Sequence, residues 1–453
     1  MSIRRRIKHP MTTISGWGRY PIVETELLRP CTRKEARIMT SHIRGGIARG
    51  NGRAYGDAGI GVLQTIQIGA LNRICSFDAK TGLLRAEAGL LLADAIAAFL
   101  PRGFFPVVVP GTKYVTIGGA IAADVHGKNH HRDGGFGDHV EDLVLALPDG
   151  NLVRASRAEN SDIFAATIGG MGLTGTIMEA TLRLRPVETG WIHQRTIVAP
   201  DLAATIATLE EDDRTTYSAA WIDCLAKGAN LGRSLVYLGK HAVRADLRGE
   251  AAAKPFPPIG DVGFAVPFDF PATALNAWIA GTFNSFYFHH GARRAGTQFL
   301  VPADSYFFPL DSIGSWNRLY GRRGFVQHQS VVPTAAAPAI LGEMLDRIAV
   351  RRKAPFLSVL KKLGSGGGTL SFPSPGYTLA LDFTLSPSIL EFLDELDSVV
   401  VAAGGRLYLA KDARQSRATF EAGYLGLKRF RETRHLVDPT CRLESYLSRR
   451  LGI

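Results

Sequence analysis

Arg49-Gly50-Asn51-Gly52-Arg53-Ala54-Tyr55-Gly56-Asp57, entered from the apolar pair Ile47-Ala48, decides how the chain is read. Closely spaced glycines carry no Cβ, so successive backbone N–H groups can turn inward and form a concave anion site suited to a pyrophosphate. Alone, the stretch reads equally as a bare glycine-rich turn. A second run narrows the choice: Pro110-Gly111-Thr112 leads to Thr116-Ile117-Gly118-Gly119-Ala120, then to His126-Gly127-Lys128-Asn129-His130-His131. Small residues there let a flat ring or a phosphate approach the backbone, and the threonine hydroxyl adds a hydrogen-bond partner. Two anion-type loops in one region point to a dinucleotide; a pair of tight strand connections is the alternative.

A third run, Gly170-Met171-Gly172-Leu173-Thr174-Gly175, is a literal GxGxxG in the wrong setting. A Rossmann fingerprint follows a strand and opens a helix, whereas a helical pattern precedes this one and the strand-like Thr176 to Leu184 follows. The reading is a loop that packs near the cofactor through its backbone. His126, His130, His131 and Asp133 invite a metal assignment. Gly127 and Gly134-Gly135 make a sustained helix poor there, so no metal is expected and His126 reads as a polar group beside a bound ring.

Outward from these loops, Glu35 to Arg185 alternates helical patterns with β-rich runs, an α+β arrangement. Leu91, Leu92, Ala95, Ile96 and Phe99 share one helical face within Leu90 to Leu100, and Leu143 to Leu147 reads as a strand. After Pro186 the glycine density falls and aromatic residues rise, which marks a second domain. Period-two alternation there places Phe325, Gln327 and Gln329 on one strand face and Leu357, Val359 and Lys361 on another, and polar residues on such faces line a cavity. The glycine-flanked style returns near Gly404-Gly405, and a helical pattern spans Phe420 to Phe430. Within Tyr408-Leu409-Ala410-Lys411-Asp412, Lys411 is either a surface lysine beside Asp412 or a lysine held against an apolar site, where it binds an anion or a developing alkoxide.

The 453 residues, 46% of them hydrophobic, suffice for two or three packed domains and exclude a disordered chain. A net charge of +12 favours an anionic partner. Nucleic acid fits poorly, because the basic residues are scattered and no binding module is present. Cys31, Cys75, Cys224 and Cys441 form no metal or disulfide spacing, and a reducing cytosol is the default. Arg4, Arg5, Arg6 and Lys8 are followed by no apolar export segment. The apolar Phe264 to Phe288 is broken by Pro267, Asp269, Pro271 and Asn276, too short for a span but able to touch a bilayer.

Together RGNGRAYGD, PGTKYVTIGGAIAADVHGKNHH, GGMGLTG and RLYLAKDAR resemble the FAD-linked oxidases of the vanillyl-alcohol oxidase type. Within them they are most similar to the branch that oxidises a polyprenyl-phosphate ribose for arabinan and cell-wall synthesis. The similarity runs from Ser15-Gly16-Trp17-Gly18-Arg19 to Arg449-Arg450-Leu451. It implies an FAD domain from both chain ends, 1–187 and 406–453, with an antiparallel-sheet substrate domain, 188–405, inserted between. FAD would lie on Arg49, Gly50, Asn51, Gly52, Arg53, Ala54, Tyr55, Gly56 and Asp57, and on Gly111, Thr116, Ile117, Gly118 and Gly119. His126, Gly127, Lys128 and Asn129 would pass beside the flavin ring, Ile177 would sit near the adenine, and Tyr408 would touch the cofactor. Many relatives attach flavin through a histidine where this sequence has Arg53, so non-covalent FAD is implied.

The resemblance further implies that Lys411 contacts the reacting oxygen, as proton acceptor or as electrostatic stabiliser, with His126 and Tyr55 at the catalytic centre. Lys128, Gln327, Gln329, Lys361, Trp221 and Trp316 would line the substrate pocket. So would Ala380, where other members of the branch carry a cysteine. The implied partners are a polyprenyl-phosphate pentose, a separate NADH-dependent short-chain reductase that completes an epimerisation, and an anionic membrane surface met through Phe264 to Arg294. The expected location is cytoplasmic and peripheral to the membrane, with the periplasmic face left open. A soluble-sugar or alditol oxidase and a non-catalytic flavin scaffold are the competing readings.

Overall fold

The computed structural model describes residues 10–211, 215–260, 262–271 and 276–453. The basic run Arg4, Arg5, Arg6 and Lys8 lies outside the described residues, as do 272–275 of the expected membrane-contact stretch.

The described residues form an α+β fold. A four-stranded sheet has the order Met11–Ser15, Ile22–Leu28, Gln64–Gln67, Gly46–Arg49. Gly46–Arg49 and Gln64–Gln67 run parallel, so the chain must cross over between them, and the first glycine run is that crossover. A six-stranded antiparallel sheet is built on the long strand Thr176–Pro186, which pairs with Leu83–Glu87, Val140–Ala146 and Phe104–Pro106. That strand is buried through its first five residues, and from Thr181 on it alternates buried Leu182 and Leu184 with the more open Arg183 and Arg185. The expected helix is present as Leu92–Phe99, with Leu92, Ala95, Ile96 and Phe99 buried at helical spacing.

An eight-stranded antiparallel sheet takes its strands from 191 to 407. Three adjacent members, Ser358–Leu363, Gly376–Thr384 and Phe325–Pro333, carry the site. One face packs on the helices Leu202–Glu211, Ala337–Val350 and Pro387–Ala402, through Leu345, Leu379, Leu381 and Phe392 among others. Because side chains alternate along a strand, the other face is left to line a cavity.

After Leu409 the chain returns to the core of the first two sheets, where Phe420, Phe430, Leu447 and Leu451 are buried with Ile47, Ile117 and Leu182. The expected helix over Phe420 to Phe430 is instead two, Arg417–Gly423 and Leu427–Val437. The helix breaks at Tyr424, whose backbone leaves helical geometry (φ −114°, ψ 85°) while its hydroxyl donates to Leu407 O at 2.6 Å, and Gly426 lets the chain pass close to the Thr369 carbonyl.

Candidate active site

A cavity of about 730 Å³ lies between the glycine loops and the open face of the eight-stranded sheet. Arg49 to Tyr55 line one side, with Gly111, Thr116, Gly118 and Gly119. The crossover loop is held from below by its own ends: Arg49 donates to Ser15 O at 2.8 Å and to Gly59 O at 3.2 Å, and Asn51 Nδ2 donates to Tyr114 O at 2.8 Å. Thr116 caps the helix Ile117–Ala122 by accepting from Gly119 N at 3.1 Å. Its hydroxyl faces Gly50 so closely that a Cβ there would approach to 2.2 Å. Ile177 and the third glycine run, through Met171, Gly172 and Gly175, reach the same wall.

The opposite side is the sheet. Antiparallel register sets Gln327 against Asp382, Gln329 against Ala380, Val359 against Ala380 and Lys361 against Thr378. Directly opposed residues share a face, so one surface presents two amides, an ammonium and a carboxyl group. Gln327 Nε2 donates to Asp382 Oδ1. Gln329 Nε2 contacts His126 Nε2 at 2.8 Å and Thr378 Oγ1 at 3.2 Å. As an amide N–H donates, the His126 ring accepts at Nε2 and carries its proton at Nδ1, which is buried without a hydrogen-bond partner among the described residues. Burial first, then Lys361, His130 and Lys411, drives the His126 pKa well below the ordinary histidine value, so this ring is neutral.

Lys411 closes the site. Its Nζ lies 3.4 Å from the centroid of the Tyr55 ring, and the Tyr55 N–H donates to Ala410 O at 2.9 Å, which fixes the lysine turn to the glycine loop. Burial pushes the Lys411 pKa down; Asp382 opposes that shift and Lys361 adds to it. Burial likewise lowers Lys361, to about 8, while part of its surface stays open to the cavity. Trp316 packs at 6.5 Å from Tyr55, and Tyr408 stacks on Phe372 at 4.6 Å while donating to Ala123 O at 3.0 Å.

Residues 33–156 match the family described as an FAD binding domain. Over 98% of its length the chain is 37% identical to the decaprenylphosphoryl-beta-D-ribose oxidase of Mycolicibacterium smegmatis, of which it covers 98%. The chain belongs to this family of FAD-linked oxidases. A Streptomyces coelicolor protein from the mprA 5′ region is 36% identical over 78% of this chain and 97% of its own length. Cytokinin dehydrogenase 1 of Oryza sativa subsp. japonica is 31% identical over 41% of this chain and 35% of its own.

FAD is the cofactor of such an oxidase, and the cradle fits it. A Cβ at Gly111 would meet no protein atom within 4 Å, so nothing in the protein's own packing requires glycine there; the bare backbone opens onto the cavity. Gly52, at φ +64°, adds a left-handed turn that favours glycine.

Several expected site residues lie behind the wall instead of on it. Gly56 is pressed against the Asp412 carbonyl, and Asp57 pairs with Arg450 at 2.9 Å. Ile117 is wholly buried in the core. Gly127 packs beside Asn129, whose Nδ2 donates to Val107 O at 2.8 Å and to Asp133 Oδ2 at 2.7 Å. Lys128 Nζ donates to Tyr306 O and sits 4.1 Å from that ring; burial and Lys361 lower it to about 7. Trp221 packs on Tyr287, 4.9 Å away.

Other wall residues were not foreseen. Trp17 lies under the Arg53 guanidinium at 4.3 Å, Tyr114 stands beside it, and Asp311 faces Arg53 while accepting from Lys113 N at 2.7 Å. For Trp17 a signal existed in its flanking glycines, since a Cβ at Gly16 would fall 2.2 Å from Gly56 O. For Asp311 there was none: it arrives on the short helical turn Pro309–Ser312, which carries no repeat or motif.

Proposed function

We propose that the chain oxidises the 2′-hydroxyl of a polyprenyl-phosphate ribose to a ketone with non-covalent FAD. This is the first half of an epimerisation that a separate NADH-dependent reductase completes. When bound, FAD supplies the acceptor for the hydride that leaves the sugar C2. The observation that carries the reading is Lys411, an amine set 3.4 Å over the Tyr55 ring on a cavity wall shared with the glycine cradle. Its lowered pKa supports the free amine as acceptor of the hydroxyl proton. His126, neutral and oriented by Gln329, and Gln327, held by Asp382, line the same cavity and shape the wall that the sugar would face. Lys361 makes no ion pair among the described residues and suits the substrate phosphate. Arg53, engaged with Asn51 O at 3.0 Å and with Trp17, supports a cofactor held without a covalent bond.

A lipid substrate needs a membrane surface. Among the described residues no helix is long and apolar enough to cross one. The helix Ala277–Ala292 leaves Trp278 72% and Phe286 69% exposed, Phe264 and Phe268 are also exposed, and Arg293 and Arg294 follow. Val262 and Ala265, beside Phe264, line the cavity, which gives an apolar path from that surface inward. Trp278→Glu with Phe286→Glu should reduce co-sedimentation with anionic vesicles; undiminished binding would remove this surface from the proposal.

The function is tested by mixing the oxidised holoenzyme anaerobically with a polyprenyl-phosphate ribose. Flavin absorbance should bleach; faster bleaching by free pentoses or alditols would overturn the substrate assignment. Denaturation should release all of the flavin.

A further inference from the structure

Lys113 stands one residue beyond the Gly111-Thr112 edge of the cradle, and each of its polar atoms is engaged. Its carbonyl accepts from Ala93 N at 2.9 Å, in the first turn of Leu92–Phe99, which fixes it to the region that matches the FAD binding domain. Its other atoms reach across to the inserted part of the chain. The N–H donates to Asp311 Oδ2 at 2.7 Å, and Nζ donates to Asp304 Oδ1 at 2.6 Å and to Gly260 O at 2.8 Å. Asp304 Oδ2 in turn accepts from Gly260 N at 3.2 Å. The lysine side chain is only 2% exposed, with the rings of Tyr114 and Phe308 at 5.6 and 5.9 Å from its ammonium.

Those partners belong to two segments that roof the cavity. Val262 and Ala265 line it from one, and Leu310, Asp311, Ile313 and Trp316 from the other. The segments are joined into one piece: Phe264–Ala265 pairs with Ile313–Gly314, and Val266 N donates to Gly314 O at 2.8 Å. At its other end the piece is tied to the start of the chain, by Asn317 Nδ2 donating to Trp17 O at 3.1 Å and by the partly exposed pair of Asp269 and Arg19 at 2.6 Å. Enclosing an ammonium is costly, and an apolar side chain of similar volume is often no less stable. What the ammonium supplies is direction, since its donors select a carboxylate and a carbonyl on the roof.

We propose that Lys113 is a positioning residue that seats this roof on the cofactor cradle, so that Asp311 and Trp316 stand at the cavity wall before the substrate arrives. The kinetic part of the inference rests on the polyprenyl-phosphate ribose reading; the seating itself does not. Without the clasp the roof holds its place for only part of the time, and the apparent affinity for substrate falls by that fraction. Lys411, packed on Tyr55 of the cradle, keeps its own geometry, so the rate once substrate is bound is spared.

Lys113→Met keeps a long side chain and removes the ammonium. In the holoenzyme, quenching of the flavin fluorescence by acrylamide, a neutral probe, reads access to the cavity without substrate and should rise by about twofold or more. Anaerobic reduction over a series of polyprenyl-phosphate ribose concentrations should give a dissociation constant raised by about tenfold and a limiting rate changed by less than about twofold. Asp304→Asn, which keeps the acceptor for Gly260 N, should shift both readouts the same way by less, and decides the matter where Lys113→Met does not hold FAD. Quenching or a dissociation constant unmoved in a variant that retains FAD overturns the seating role. So does a limiting rate that falls as far as the affinity, or loss of FAD from both variants, which would assign Lys113 to holding the cofactor. A parent enzyme that polyprenyl-phosphate ribose fails to bleach refutes the substrate reading instead, and the quenching then judges the seating by itself.

Discussion

The two walls of the cavity are built on opposite principles. The cradle is backbone: Gly50, Gly52 and Gly111 contribute by lacking a side chain, and their neighbours Arg49, Asn51 and Thr116 spend their polar atoms holding the loop in shape. The sheet face is side chain: Gln327, Gln329, Lys361 and Asp382 project from strands whose other side is a packed core. The cradle should accordingly be sensitive to added volume and indifferent to pH, and the sheet face the reverse. Lys411 stands at the junction, on Tyr55 from the first wall and under the charge of Asp382 from the second.

The largest expected effect is at that junction. Lys411→Ala should slow flavin reduction by about 10²- to 10⁴-fold, the usual contribution of a positioned proton acceptor, with FAD content unchanged. In the parent enzyme the rate should rise with pH as the amine form grows, and the variant should lose that rise. Stopped-flow reduction across a pH series checks both; loss of FAD in the variant would mean that the lysine belongs to the cradle.

Next comes the tie between the walls. Arg450 Nη2 lies 2.9 Å from Asp57 Oδ1, at the end of the glycine loop, and 3.0 Å from Asp412 Oδ2, next to Lys411. Arg450→Met leaves both buried carboxylates without their guanidinium, which costs about 3–5 kcal/mol. A lower melting temperature, weaker FAD retention and slower reduction should appear together. A fall in stability alone would show the two walls to be independent.

The same contrast explains what the sequence disclosed. Glycine runs are legible because the missing side chain is itself the function, and Leu92–Phe99 because apolar residues three and four apart leave one helical face to bury. Gln327, Gln329 and Lys361 were legible by alternation within their own strands. The alternation could not show that Asp382 lies opposite Gln327, since register between strands 55 residues apart leaves no local trace. Nor could it show that Lys128, one residue from a correct wall residue's neighbour, turns its ammonium onto Tyr306 O. Arg450 was read only as the end of a motif; its partner Asp57 is 393 residues away.

A smaller, purely steric test acts on the cradle. Gly50→Ala sets a methyl 2.2 Å from Thr116 Oγ1, an atom already committed to capping a helix. The strain of such overpacking is about 1–3 kcal/mol. FAD affinity, measured by titrating the apoprotein, should weaken by roughly tenfold, equally at pH 6 and pH 9. A pH-dependent loss would contradict the division between the walls.

The smallest effect is electrostatic and belongs to the sheet face. Burial holds the folded Lys361 near a pKa of about 8, below the ordinary lysine value of about 10.4. Between those values the unfolded chain binds more protons than the folded one, so stability rises with pH through that window. Below it both states are protonated, and the folded protein carries an enclosed cation next to Lys411. Lys361→Met removes the linkage: its melting temperature should exceed that of the parent at pH 7, and the gap should close as the pH approaches 10. Because part of the side chain opens onto the cavity, the difference should be about 1 kcal/mol. A gap that persists unchanged across the window would show that the methionine acts by packing, and that the charge of Lys361 is not what distinguishes this wall from the cradle.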